Sequence, residues 1–183
     1  GNTAANLTTP RDITGNVVAG SLNNIIGTGG AGGLTNGVNG NQTNVSFANV
    51  RLSPLGNYGG AVQTMPIRTN SPARNAGTNT GAPATDARGF NRPQATTTDI
   101  GAFEIQTNSI VTNTNNSGAG SLRQVVADVP SGETIQFESP LFDTAQTISL
   151  SAGQITIGKN LTISGNGANI LNVRNTAAAS STS

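Results

Sequence analysis

Between Thr134 and Val173 five short runs alternate apolar and polar residues: Thr134-Ile-Gln-Phe137, Thr147-Ile-Ser-Leu150, Gln154-Ile-Thr-Ile157, Leu161-Thr-Ile-Ser164 and Ile170-Leu-Asn-Val173. A period of two is the mark of a half-buried strand. Taking Ile148, Ile155, Ile163 and Leu171 as the inward residues, the steps between them are 7, 8 and 8, and together they make 23 residues. That is the length of one three-sided coil of a parallel β-helix, in which each side is a short strand, each corner a polar turn, and each strand pairs with its counterpart one coil later. The spacing predicts an all-β chain wound as a β-solenoid.

One segment departs from this rhythm. Leu122, Val125, Val126 and Val129 fall at i, i+3, i+4 and i+7, one face of a helix of about two turns. Ser121 and Gln124 fit a capping box at its start, and Pro130 ends it. Set ahead of the first coil, a short amphipathic helix would cover strand edges that otherwise recruit other chains.

The first half reads differently. Ile13, Val17-Val18, Leu22 and Ile25-Ile26 are brief apolar pieces, followed by Gly27-Thr-Gly-Gly-Ala-Gly-Gly33 and Asn36-Gly-Val-Asn-Gly40. Asn-Gly pairs mark tight turns. The glycine run lacks the Gly-Lys-Ser/Thr of a phosphate-binding loop, so it reads as a loop that needs positive φ angles. Residues 51–105 hold Pro54, Pro66, Pro72, Pro83 and Pro93 and look irregular, which a compact domain tolerates only if the segment packs along something large.

Composition narrows the chemistry. There is no Cys, no His and no Trp, so thiol catalysis, the commonest zinc and copper ligands and the usual general base near neutral pH are all missing. Charged residues make up 9% of the chain and the formal net charge is +1, with Lys and Arg scattered, which argues against a nucleic-acid partner. No apolar run reaches the roughly 20 residues that span a bilayer. Low net charge combined with many Thr, Val and Ile also separates the chain from disordered sequences.

Two stretches resemble a known family. Ser71-Pro-Ala-Arg-Asn-Ala-Gly77, Ala84-Thr-Asp-Ala-Arg-Gly-Phe-Asn-Arg-Pro93 and Asp99-Ile-Gly-Ala-Phe-Glu104 resemble the closing signature of the choice-of-anchor Q bacterial surface proteins. Asn24-Ile-Ile-Gly27, Gly37-Val-Asn-Gly-Asn41 and Leu55-Gly-Asn-Tyr-Gly-Gly60 fit the last coils of that family. Val111 to Gln124, continuing to Lys159-Asn-Leu-Thr-Ile-Ser-Gly165, is similar to the opening cap and first coil of a β-helix domain in the same kind of protein. The resemblance implies a right-handed parallel β-helix, export to the bacterial cell surface, and no catalytic residues. Arg74 and Asn75 stand where an aliphatic residue and Asp are more usual in the family. Because the closing signature precedes the opening one, the chain is expected to span a junction, with residues 1–105 ending one unit and residues 106–183 beginning the next.

Asp86, Arg88, Asp99 and Glu104 form the charge constellation of interest. Asp86, Asp99 and Glu104 together could offer the hard oxygen ligands that Ca²⁺ takes. The structural alternative has Asp86 and Asp99 capping turns through backbone N–H groups while Arg88 and Arg92 anchor the loop. Asp12, Asp128, Glu133, Glu138 and Asp143 are dispersed, unlike the clustered acids of β-helix glycan lyases and hydrolases. Thr147, Thr156 and Thr162 do not share one face, so an ice-binding array is not expected, and Asn-x-Ser/Thr sites such as those at Asn6, Asn41, Asn44 and Asn160 suit chance in an Asn/Thr-rich chain. The expectation is a non-catalytic, cofactor-free structural segment of an extracellular fibre or surface layer, its units meeting head to tail through the Gly1 and Ser183 ends. A carbohydrate-binding or adhesive module that recognises surface glycans is second, and a glycan-degrading enzyme third.

Overall fold

The computed structural model describes residues 12–13 and 15–177, so Asn6 and the Gly1 and Ser183 ends lie outside the described residues. The chain divides into two units, one of Gly1–Gly56 and Thr64–Ile105, the other of Asn57–Gln63 and Gln106–Ser183.

The second unit contains the regular structure. Strands β1 (Ile110–Val111), β2 (Thr134–Phe137) and β4 (Thr162–Ile163) form one parallel sheet in the order β1-β2-β4, and β3 (Gln146–Leu150) pairs in parallel with β5 (Leu171–Asn175). In register, Ile110 meets Gln136, Thr134 meets Thr162 and Gln146 meets Leu171. All four side chains of β2 are buried, as befits a strand with a neighbour on each side. Ile135 and Phe137 point to one face of it and join Val111, Phe142, Ile148 and Leu150 in the hydrophobic core.

Helix α2 (Leu122–Asp128; α1 is the single turn Phe47–Val50 of the first unit) closes that core with Leu122, Val125 and Val126. Burying each such aliphatic side chain is worth about 1.5–3 kcal/mol. The Ser121 side chain accepts the Gln124 N–H at 3.2 Å, the N-cap the sequence calls for. Gln124 does not complete the capping box, because its amide reaches forward one turn to Asp128 at 2.9 and 3.0 Å. At the far end the Lys159 ammonium donates to the Ala127 and Val129 carbonyls, placing the one lysine of the chain on the negative end of the helix dipole. Arg123 ties the helix to the Gly153 and Gln154 carbonyls at 2.6 and 2.8 Å. Gly120 must be glycine: its φ is +74°, and a Cβ there would stand 2.0 Å from Thr112 Oγ1.

In the first unit the ladder contacts are single bridges: Ile25 with Gln42 in parallel, and Leu52 with Ile67, Gly56 with Thr64 and Thr85 with Asn91 antiparallel. What organises the chain there is side-chain bonding to the backbone. Asn41, fully buried, donates to the Ser21 carbonyl at 2.9 Å and accepts from Asn24 N and Asn24 Nδ2 at 3.1 and 2.8 Å.

The right-handed parallel β-helix expected from the spacing is therefore corrected to two small parallel sheets in the second unit and a bridge-and-turn framework in the first. Two causes are visible. The Gln154–Ile157 run forms no strand, with Thr156 and Ile157 exposed, so a triangular coil lacks one of its sides. In the first unit the apolar pieces are too short to extend a ladder, and Gly30, Gly32, Gly33, Gly37, Asn39 and Gly40 all take positive φ, each turning the backbone out of the extended region. Of the four residues assigned inward, Ile148 is buried and Ile155 and Leu171 pack half-buried against the core, whereas Ile163 is exposed. The helix survives the correction, but its task is to close the second unit's core and not to cover a coil end.

Candidate functional site: a carboxylate clamp in the 84–105 loop

The loop over residues 84–105 starts with a local turn. Asp86 Oδ1 accepts the N–H groups of Arg88 and Phe90 at 2.8 and 3.2 Å, the short-side-chain turn that Asp favours. Main-chain bonds from Gly89 to the Asp86 carbonyl and from Asp86 to the Phe90 carbonyl complete it. Asp86 Oδ2 then receives Arg88 Nε and Nη2 at 2.9 and 2.7 Å, together with the Glu104 N–H at 3.0 Å. Both side chains of this ion pair are fully buried. The guanidinium lies over the Phe103 ring at 3.5 Å and the Phe90 ring at 4.6 Å, where the ring faces attract a desolvated cation.

Glu104 links this turn to the rest of the loop. Its Oε1 accepts the Gln94 N–H at 3.0 Å, and its Oε2 accepts Arg92 Nε at 3.2 Å and the Asp99 N–H at 2.9 Å. Arg92 also donates to the Asp99 and Gly101 carbonyls. Asp99 reaches the 71–77 segment: Oδ1 accepts the N–H of Asn75, whose φ is 52°, and Oδ2 accepts the Ile105 N–H, both at 2.7 Å. Gly77 closes on the same place through its N–H to the Thr98 carbonyl, and a Cβ on it would come within 2.7 Å of Thr98 Oγ1.

The structure thus brings Asp86, Arg88, Asp99 and Glu104 together with Arg92, and every oxygen of the three carboxylates accepts at least one N–H. A Ca²⁺ ion asks for six to eight oxygens, and here the oxygens face donors. Among the described residues there is no group of three or more His, Cys, Asp or Glu that could hold a metal ion. Gln94 and Asn75 also belong to the clamp, through backbone N–H groups that no side-chain pattern reveals.

Burial pushes the Asp99 carboxyl above its ordinary value, the Ile105 and Asn75 N–H groups pull it back, the Glu104 charge adds to the rise and the Arg74 charge opposes it. With the folded value raised, the folded chain binds more protons than the unfolded one between the two values. Stability from Asp99 is fully present below the ordinary aspartate range and is lost as pH rises through the folded value. Replacing Asp99 by Asn should remove this falling segment from a plot of urea midpoint against pH. A plot that keeps its slope in the variant would assign the titration elsewhere.

The remaining acids are not gathered. Asp12 accepts from the Gly29 N–H, Asp128 from Gln124, Asp143 from Ser139, and Glu133 from the Thr134 N–H in the interior of the second unit. No helix among the described residues is long and apolar enough to cross a membrane. No protein-family model, curated protein or solved structure matches the chain.

Proposed function

We propose that the chain is a non-catalytic structural segment of an exported bacterial surface protein, related to the choice-of-anchor Q proteins, and that it works without a metal or cofactor. The observation that carries this reading is the use of every oxygen of Asp86, Asp99 and Glu104 as an acceptor for N–H groups within the loop. Carboxylates so engaged hold backbone in place, whereas a general acid or base must reach a substrate proton. The sequence likeness of the 71–104 and 111–165 stretches to surface proteins supports export.

Head-to-tail self-association is part of the proposal, and its support lies in two sheet edges. Ile163 on β4 stands in register with Ile135, and Val173 on β5 with Ile148; the inner pair are 0% exposed and the outer pair 42%. Both outer strands end their sheets, so each offers unpaired backbone groups and aliphatic side chains to another copy. Electron microscopy of the concentrated chain should show filaments with an axial repeat, and Ile163→Lys with Val173→Lys should disperse them. Particles that stay monomeric would remove the assembly half of the proposal, and reducing ends released from a polysaccharide panel would remove the non-catalytic half.

A further inference from the structure

The first unit carries an open groove of about 610 Å³, in which Val45 and Pro72 stand among polar side chains and whose Arg74 adjoins Asn75 of the carboxylate clamp. Arg51 and Arg74 line it, together with Asn44, Asn49, Thr69 and Asn70, and no Asp or Glu does. Arg74 is held in place, its Nη1 donating to the Thr69 carbonyl at 3.0 Å. Arg51 is exposed, and its guanidinium has no hydrogen-bond or ion-pair partner among the described residues. The Arg68 N–H donates to the Arg51 carbonyl at 3.0 Å and so ties the backbone at Arg51 to the neighbouring segment.

Arg51 is also where the backbone is least comfortable. It follows α1 as the C-cap with φ 59° and ψ 51°, the left-handed region that Gly or Asn occupies at little cost and a long side chain does not. A strained position that keeps a charged, unpartnered side chain over a groove is a place to look for a ligand. Meanwhile the acids of the loop are committed elsewhere: Asp86 and Glu104 are bonded to Arg88 and Arg92, and Asp99 shares the charge of Arg74, which leaves Arg51 as the groove's uncommitted cation with no carboxylate in the lining.

From this geometry we infer that the groove binds an acidic saccharide, one whose uronic-acid carboxylate pairs with Arg51 while its hydroxyls bond to the asparagine amides and Thr69. Guanidinium forks match carboxylates in two-pronged fashion, and amide side chains both donate to and accept from neighbouring hydroxyls. No aromatic ring lines the groove, so a nucleic acid would lack the stacking that single strands use. This ligand site is independent of self-association and of the absence of catalysis.

The test is calorimetric titration of the full 183-residue chain with oligogalacturonate, with neutral dextran oligosaccharide and with a single-stranded oligonucleotide. Oligogalacturonate should bind, dextran should not, and affinity should fall with added salt as an exposed ion pair requires. Arg51→Asn removes the charge at a backbone angle Asn accepts, so it should weaken binding about tenfold with no loss of thermal midpoint, the size expected of one charge-assisted bond. Arg51→Lys should fall between the two, since it keeps charge without the fork. Unchanged affinity in Arg51→Asn, or binding of the oligonucleotide as tight as that of oligogalacturonate, overturns the inference.

Discussion

Asp86→Ala should be among the most damaging single changes in the first unit, lowering its stability by about 3–5 kcal/mol, the cost of leaving a buried charge without its partner. Arg88 would keep its guanidinium over Phe90 and Phe103 with both side chains of the former pair out of water. Three main-chain donors, Arg88 N, Phe90 N and Glu104 N, would lose their acceptor at the same time. Their amide hydrogens are therefore the direct readout, and they should exchange faster in the variant while those of β3 and β5 in the second unit keep their protection. Asp86→Asn should recover little: its Oδ1 can still serve the turn, but an NH₂ in place of Oδ2 would face the Arg88 and Glu104 donors. The double variant Asp86→Leu/Arg88→Met should regain the part of the loss due to the uncompensated charge under the phenylalanine rings, while the three main-chain donors stay without their acceptor and the rest of the loss remains. If the single and double variants lose equally, the pair does not hold the loop together in this way.

What the sequence made legible depends on how local the cause is. Helix α2 was readable because its period, its cap at Ser121 and its stop at Pro130 all lie within ten residues of one another. The runs at Thr134–Phe137 and Thr147–Leu150 became strands because their alternating aliphatics reach a core that Val111, Phe142 and α2 complete. Gln154–Ile157 has the same alternation and stays out of the sheets, since pairing also needs a neighbouring strand at the right height, which a one-dimensional spacing does not report. Summing steps of 7, 8 and 8 assumed that every run forms a side of one coil. The observed registers, 110 with 136, 134 with 162 and 146 with 171, step by more than the 23 so obtained.

The loop shows the same limit from the other side. Asp86, Asp99, Glu104, Arg88 and Arg92 were visible as opposite charges in a chain with few charges, yet their bonds run mostly to backbone groups. Charge spacing alone left both a cation site and an anchor open. Neither reading follows without the direction of each N–H, which is a property of the folded loop. Arg51 was silent for a related reason: nothing in Val50-Arg51-Leu52 signals a left-handed residue, and its place on a groove follows from Thr69 and Arg74 closing the other wall.

In the second unit the corresponding large effect is expected from Phe142→Ala, a loss of about 3–5 kcal/mol for an aromatic side chain removed from a packed interior. Phe142 lies in the single 3-10 turn Leu141–Asp143, with no periodic neighbour to mark it, and it is fully buried while Leu141 beside it is exposed. Its ring meets the edge of Phe137 with centroids 5.1 Å apart and planes at 68°, a geometry that adds to simple burial. The turn is fixed by the Phe142 N–H to the Glu138 carbonyl at 3.0 Å and by Asn166 Nδ2 to the Phe142 carbonyl at 2.6 Å, so it cannot readily collapse into the space left behind. Because Phe142 shares one core with β2, β3 and α2, the loss should appear as faster amide exchange in all three elements together, with a urea midpoint lowered to match. Phe142→Leu fills part of the space and should lose less than half as much. Protection retained in α2 while β3 alone opens would mean that the helix and the strand do not share the single core drawn by their contacts.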